Sequence, residues 1–274
     1  MPGHDATSSR PDADDDLILQ TRGLTRRFLG FTAVQDVDLK VRRGSIHALI
    51  GPNGAGKSTC FNLLTKFLEP SAGTIHYNGI DITHAAPATL AQRRMVRSFQ
   101  ISATFPALTA LQNVRIALQR RSGASFCFWR SNRTLHALHP RAMELLEQVG
   151  LDAHADVPAS ELAYGRRRAL ELATTLALEP ELMLLDEPTQ GMGHEDVEAV
   201  TTLIQRVARG RTVLLVEHNM QVVSRIAHTI TVLQRGQILA EGSYEAVSRD
   251  PRVVEAYMGS STAALGGAQE PGHG

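Results

Sequence analysis

Apolar residues in this chain recur with two different periods. Runs that are wholly or almost wholly apolar stand at 46–50, 182–185 and 213–216, and each leads into a helical spacing that opens at Lys57, near Glu195 and near Met220. Short apolar strands alternating with helices predict a mostly parallel sheet, because such strands are covered on both faces and cannot show an inside-outside alternation. Segments 74–77, and 230–233 with 237–240, are set off by Gly, Asn and Asp turn residues and predict antiparallel pairing. Residues 101 to about 170 contain no comparable strand, and their spacing is helical, most clearly at 137–149. The pattern predicts an α/β core carrying a helical insert. The first sixteen residues are polar, with Asp12, Asp14, Asp15 and Asp16 clustered, and the last fourteen are small and Gly-rich. Disordered tails at 1–16 and 261–274 are therefore expected around one domain at 17–260.

Composition narrows the function classes. A sequence of 274 residues, 43% of them hydrophobic, is long enough to bury a full core. It has no apolar run near the roughly 18 residues of a membrane span, and the polar, acidic N-terminus lacks the apolar centre of a signal peptide. Cys60 and Cys127 are too few for a disulfide framework or a Cys-rich zinc site, and the 11 histidines show no paired ligand spacing. A reducing cytosol is the expected setting. The 28 basic and 28 acidic residues cancel, which argues against a polyanion-coating protein, and no nucleic-acid partner is expected. The cancellation hides segregation: residues 91–133 hold eight Arg and no acid, while 134–200 hold four basic and thirteen acidic residues.

The strongest chemical signal is Gly51-Pro52-Asn53-Gly54-Ala55-Gly56-Lys57-Ser58-Thr59, placed after one predicted strand and opening a helix. Glycines at these positions let backbone N–H groups turn inward around a β-phosphate, Lys57 supplies a point charge to the β/γ oxygens, and Ser58 can ligate Mg²⁺. The sequence holds 25 Arg and only three Lys, yet this slot is Lys. A compact ammonium suits that role where a planar guanidinium does not. A second signal is the apolar run 182–185 ending in Asp186 and Glu187. Alone it also describes a solvated strand end. Beside the phosphate loop it predicts a catalytic centre at the sheet's C-terminal edge, with Asp186 holding Mg²⁺ and Glu187 polarising the attacking water.

With these motifs in this order, residues 18–259 resemble the ATP-binding cassette subunits of ABC transporters. The resemblance implies an α/β P-loop NTPase core of RecA type, an antiparallel β subdomain and an inserted helical subdomain at about 101–170, with ATP and Mg²⁺ as cofactors. Gln100 matches the Q-loop that reaches the metal and the attacking water and senses the membrane subunit. His218 matches the switch histidine of the γ-phosphate, and Phe28 the aromatic that stacks on adenine. The signature segment departs from the family. Its Leu-Ser-Gly-Gly-Gln reads here Leu162-Ala163-Tyr164-Gly165-Arg166, so the serine hydroxyl that would meet the partner's γ-phosphate is missing, leaving Ala163, Tyr164, Gly165 and Arg166 as the in-trans candidates. Arg166, Arg167 and Arg168 then open a helix, against its dipole unless an anion or acidic neighbour is near. Gly193 stands where the family's D-loop has Asp.

In the family, two cassettes sandwich two ATP molecules. An intact phosphate loop with an altered signature favours a second, different ATPase subunit, although a homodimer stays open. The Ala-Tyr-Gly signature, the segment Glu187-Pro188-Thr189-Gln190-Gly191 and the ending Val254-Glu255-Ala256-Tyr257-Met258-Gly259 are similar to the first ATPase subunit of branched-chain amino acid importers, a group that includes urea and amide importers. The resemblance implies two membrane permease subunits, a solute-binding protein reached through them, and a peripheral place on the cytoplasmic face of the cell membrane. Other classes stay open: an ABC-type ATPase acting on nucleic acid or ribosomes, and a regulatory cassette that barely hydrolyses ATP. Arg120, Arg121, Arg130 and Arg133 enclose Phe126, Phe128 and Trp129, a combination that suits anionic headgroups or a permease loop, or equally an aromatic cluster folded onto the subdomain.

Overall fold

The structure, a computed structural model, describes residues 16–98, 104–121 and 137–257. The expected tails fall almost wholly outside these residues, as do Gln100 and most of the Arg-aromatic stretch at 120–133. The fold opens with an antiparallel meander, β1 (Leu17–Phe28), β2 (Phe31–Val37) and β3 (Lys40–Arg42), before β4 (Ile46–Ile50) and α1 (Lys57–Leu64). Then come β5 (Ala72–Tyr77), β6 (Ile80–Asp81), α2 (Pro87–Gln92) and β7 (Met95–Ser98). Helices α3 (Ala110–Arg121), α4 (His139–Gln148) and α5 (Tyr164–Leu176) precede β8 (Leu182–Asp186), α6 (His194–Val207), β9 (Thr212–Val216) and α7 (Met220–Ile226). Strands β10 (Thr229–Gln234) and β11 (Gln237–Gly242) and the short α8 (Tyr244–Ser248) follow, with residues 251–257 again helical.

Two sheets result. One has the order β11-β10-β4-β9-β8-β7, parallel throughout except for the antiparallel edge strand β11. The other is antiparallel, order β2-β1-β5-β6 with β3 also on β1. The expected parallel strands and both expected antiparallel segments are thus present. Because side chains alternate along a strand, the parallel sheet feeds two cores. Ala48, Ile50, Met183, Leu185, Val213 and Leu215 pack with α3–α7, whereas Leu49, Leu182, Leu184, Leu214 and Val216 pack with α1 and the antiparallel sheet.

Three features depart from the sequence expectation. Residues 17–42, for which no strand is expected, form β1–β3. Their polar residues are deceptive: Thr21 and Thr25 are buried, and Thr21 Oγ1 donates to the Val37 carbonyl at 2.7 Å while accepting from Leu39 N–H at 2.8 Å. Register shifts within β1 also break its period. Strand β7 is missed because it is short and ends Arg-Ser; it is held by parallel pairing with β8, with Arg97 opposite Leu184. Helical structure also continues past 170, since Leu170, Leu172, Ala173 and Leu176 of α5 are buried in the same core as Met183 and Leu185. The helical segment therefore shares its core with the sheet.

The segregated charge closes on itself where β7 lies beside β8. Arg94 pairs with Glu181 at 3.1 Å and Arg97 with Asp186 at 2.7 Å, joining the acid-free stretch to the acidic one. A second buried polar group crosses the sheet centre. His47 Nε2 lies 2.7 Å from Thr231 Oγ1, and that hydroxyl donates to Glu241 Oε2 at 2.6 Å, which makes His47 Nε2 the donor. Burial lowers the imidazole pKa from 6.5 to about 4.

Two stability outcomes follow from this packing. Leu214→Ala, at a fully buried position of the central β9, should cost about 2–5 kcal/mol in chemical denaturation. His47 is held neutral in the fold, so its contribution is complete above pH 6.5 and is lost as pH falls from 6.5 towards 4, by about 3 kcal/mol in all. Urea midpoints at pH 7 and pH 5 should differ less in His47→Gln than in the parent protein.

Candidate nucleotide site

The phosphate loop leaves the end of β4 and enters α1 through backbone that only glycine adopts easily. Gly54 and Gly56 have φ of 77° and 97°, and Gly56 is the left-handed N-cap of α1. A Cβ on Gly56 would lie 2.5 Å from the Ala33 carbonyl, and one on Gly51 would lie 2.2 Å from the Leu233 carbonyl. The loop is therefore clamped between β2 and the β10–β11 turn, where Gly236 N–H donates to the Ala55 carbonyl at 2.9 Å. Helix α1 has no side-chain cap and no acid in its first turn, which leaves its N–H groups and dipole for an anion. Lys57 is buried and donates to the carbonyls of Gly51 at 2.7 Å and Pro52 at 3.0 Å. Burial lowers its pKa, and the charge of Glu187 opposes that shift.

Parallel register brings two further strand ends to the same edge. Asp186 is the last residue of β8, 9% exposed, with Oδ2 held by Arg97. Glu187 follows with φ of 45°, a left-handed conformation unusual outside glycine, and its N–H donates to the Val216 carbonyl at 2.9 Å. That strained turn is tied across to β9 and carries the carboxylate onward from the sheet edge. Asp186 and the exposed Ser58 supply hard oxygen donors. Among the described residues no group of three or more His, Cys, Asp or Glu could hold a metal ion. This donor set fits a Mg²⁺ that takes one carboxylate, one hydroxyl and the nucleotide's own phosphates better than a cation needing an all-protein cage.

Sequence reasoning missed Glu217. It is fully buried beyond the end of β9 and accepts four hydrogen bonds, from Thr189 N–H at 3.2 Å, from the Thr189 hydroxyl, and from the N–H groups of His218 and Asn219 at 2.9 and 3.1 Å. One carboxylate thereby joins the segment after Asp186 and Glu187 to the backbone of His218, whose side chain stays 55% exposed. The available signal was an acid directly after four consecutive apolar residues, a position where an unsatisfied carboxylate would be costly.

Phe28 closes β1 and stacks on Phe31, ring centroids 5.5 Å apart, with the Arg26 guanidinium 4.8 Å from the Phe28 ring. Of the two rings Phe31 is the more exposed, at 62%, so an aromatic partner for a base is offered by a pair where the sequence pointed to one residue. The signature candidates lie at the start of α5. Ala163 is its N-cap, the Tyr164 hydroxyl donates to the Gln190 carbonyl at 3.2 Å, and Gly165 packs so closely on Asp196 that a Cβ would lie 2.7 Å from its carboxylate. Asp196 thus sets one acidic side chain beside the first turn of this helix. Arg166 and Arg167 are exposed, Arg167 donating to the Leu162 carbonyl at 2.8 Å, whereas Arg168 is buried and paired with Glu171 at 2.7 Å. Gly193 serves as N-cap of α6 without a side-chain cap.

Comparison with known proteins gives the family. A family model described as ABC transporter matches residues 34–190, and one described as branched-chain amino acid ATP-binding cassette transporter matches 237–263. The protein is 37% identical to the high-affinity branched-chain amino acid transport ATP-binding protein BraF of Pseudomonas aeruginosa, over 89% of this chain and 98% of the relative. It is 36% identical to LivG of Escherichia coli, a protein of the same description, with the same coverage. Among solved structures, the ADP conformation of MJ1267, an ATP-binding cassette of an ABC transporter, superposes with a TM-score of 0.77 at 29% identity, covering 89% of this chain and 99% of that one. A dimeric bacterial ABC transporter cassette, MJ0796, gives 0.68 at 26% identity, covering 82% and 98%. With a matched family model spanning more than half of its length and relatives that align across nearly all of it, the chain belongs to the ABC transporter family, in which it is a nucleotide-binding ATPase cassette.

Proposed function

We propose that this protein is the ATP-hydrolysing subunit of an importer for branched-chain amino acids or related small polar solutes, working on partner permeases at the cytoplasmic face of the cell membrane. The observation that carries the reading is that the ABC transporter model and the branched-chain amino acid transporter model match the same polypeptide, together with relatives of that description at 36–37% identity. No helix among the described residues is long and apolar enough to cross a membrane, which suits a cassette that relies on separate membrane subunits.

In this reading the loop N–H groups and Lys57 bind and orient the phosphates, and Glu187 orients the attacking water from its strained turn. His218 meets the γ-phosphate, its backbone fixed by Glu217. Ser58 and Asp186, together with Gln100, would hold Mg²⁺, which when bound would supply charge neutralisation to the phosphates. The altered signature contributes one fewer hydroxyl to a partner's nucleotide, which favours a heterodimer of cassettes. Membrane subunits dock in the groove of about 860 Å³ between β7, α2, α3 and α5, whose rim carries the exposed Phe67, Phe105 and Ile116.

Two measurements test the proposal. Glu187→Gln should lower steady-state turnover by roughly 10²–10⁴-fold while ATP affinity stays within a few-fold of the parent protein; parent-like turnover would remove Glu187 from the chemistry. Co-expression with a second cassette that has a complete Leu-Ser-Gly-Gly-Gln segment should give higher ATPase activity per subunit than this protein alone. Equal activity would favour the homodimer.

A further inference from the structure

The Arg97 side chain is set where no role in the reaction has been assigned to it. It stands on β7, only 14% exposed, and its Nη2 donates to Asp186 Oδ2 at 2.7 Å. Nη1 donates to Asn62 Oδ1 at 2.8 Å and Thr65 Oγ1 at 3.2 Å, so the same guanidinium ties the end of β8 to the helix that begins with Lys57 and Ser58. Its central carbon lies 5.0 Å from the Phe61 ring and 5.0 Å from the Phe67 ring. Phe61 is fully buried, but Phe67 is 55% exposed and lines the large groove together with Arg97 itself.

We propose that Arg97 is a positioning residue acting through Asp186: it is the resident counter-charge of that carboxylate, it sets how tightly the nucleotide site takes a divalent cation, and the groove controls it through Phe67. Two physical effects bear on the sign. A guanidinium on one carboxylate oxygen orients the other oxygen, which favours metal binding. Against this, the carboxylate is already neutralised in a poorly solvated place, and the cation must share it beside a fixed positive charge. The second effect dominates. Without Arg97 a carboxylate 9% exposed has lost its charge partner, a costly state that a divalent cation relieves. Removing the guanidinium therefore tightens the metal, whereas a purely structural ion pair would loosen or ignore it. An occupant of the groove that draws Phe67 from the guanidinium weakens the clamp and acts in the same direction, which gives docking a route to the metal site through β7 itself.

This inference rests on the reading of Asp186 as a metal ligand, and the experiment separates the two. The full-length protein is titrated with a fluorescent, non-hydrolysable ATP analogue in EDTA and in saturating Mg²⁺, and the ratio of the two dissociation constants measures the metal's contribution. Arg97→Met should raise that ratio about tenfold or more, Arg97→Lys should stay within about threefold of the parent, and Phe67→Ala should raise it by an intermediate factor. A ratio in Arg97→Met equal to or below the parent's overturns the proposal. If Arg97→Met lacks a cooperative melt, Phe67→Ala decides, and an unchanged ratio there overturns it. Asp186→Asn should bring the ratio close to one; a parent-like ratio in that variant would overturn the assignment of Asp186 as ligand, independently of Arg97.

Discussion

Parallel pairing of β4, β9 and β8 is the constraint on which the rest of this molecule depends. Hydrogen bonding in register places Ile46 beside Val213 and Leu182 beside Thr212, so the three strands run out together on one side of the sheet. Their next residues are Gly51, Glu187 and Glu217. A one-residue slip would turn every side chain of a strand to the other face, and because both faces are buried in separate cores, no slipped register buries the same set. The precision of the site is thus inherited from packing far below it.

Above that edge the site is assembled from loops that would not hold their conformation alone. The phosphate loop is confined by carbonyls of Ala33 and Leu233 that leave no room for a Cβ, Glu187 sits in left-handed backbone tied to Val216, and the switch segment hangs from the buried Glu217. These restraints come from β2, β10 and the end of β9. The segment after β8 and the backbone of His218 are consequently linked by direct hydrogen bonds through Glu217.

How much of this was legible beforehand depends on the kind of residue. Strands β4, β8 and β9 announce themselves because strands covered on both faces are almost wholly apolar, and the phosphate loop because glycine, Lys and Ser at fixed spacing serve a single geometry. The antiparallel strands β1–β3 were illegible because they bury hydroxyls, and that of Thr21 is satisfied by the backbone of Val37 and Leu39, sixteen and eighteen residues away. Glu217 was read past, since whether a carboxylate after an apolar run is solvated or serves as a four-way acceptor is decided by what surrounds it. Phe31 was overshadowed by Phe28 for a similar reason, as exposure at a hairpin is a property of the packed sheet.

The charge pattern separates the two kinds of information most sharply. An α/β core with a phosphate-binding loop can be read from the chain alone, because backbone periodicity and a phosphate cradle are local properties written in consecutive residues, and the cassette follows from the family resemblance that its motifs carry. The sequence also showed eight arginines without an acid at 91–133, but not their purpose. That Arg94 and Arg97 answer to Glu181 and Asp186 emerges from the folded sheet, since ion pairing depends on distance in space and β7 becomes the neighbour of β8 only when the sheet forms.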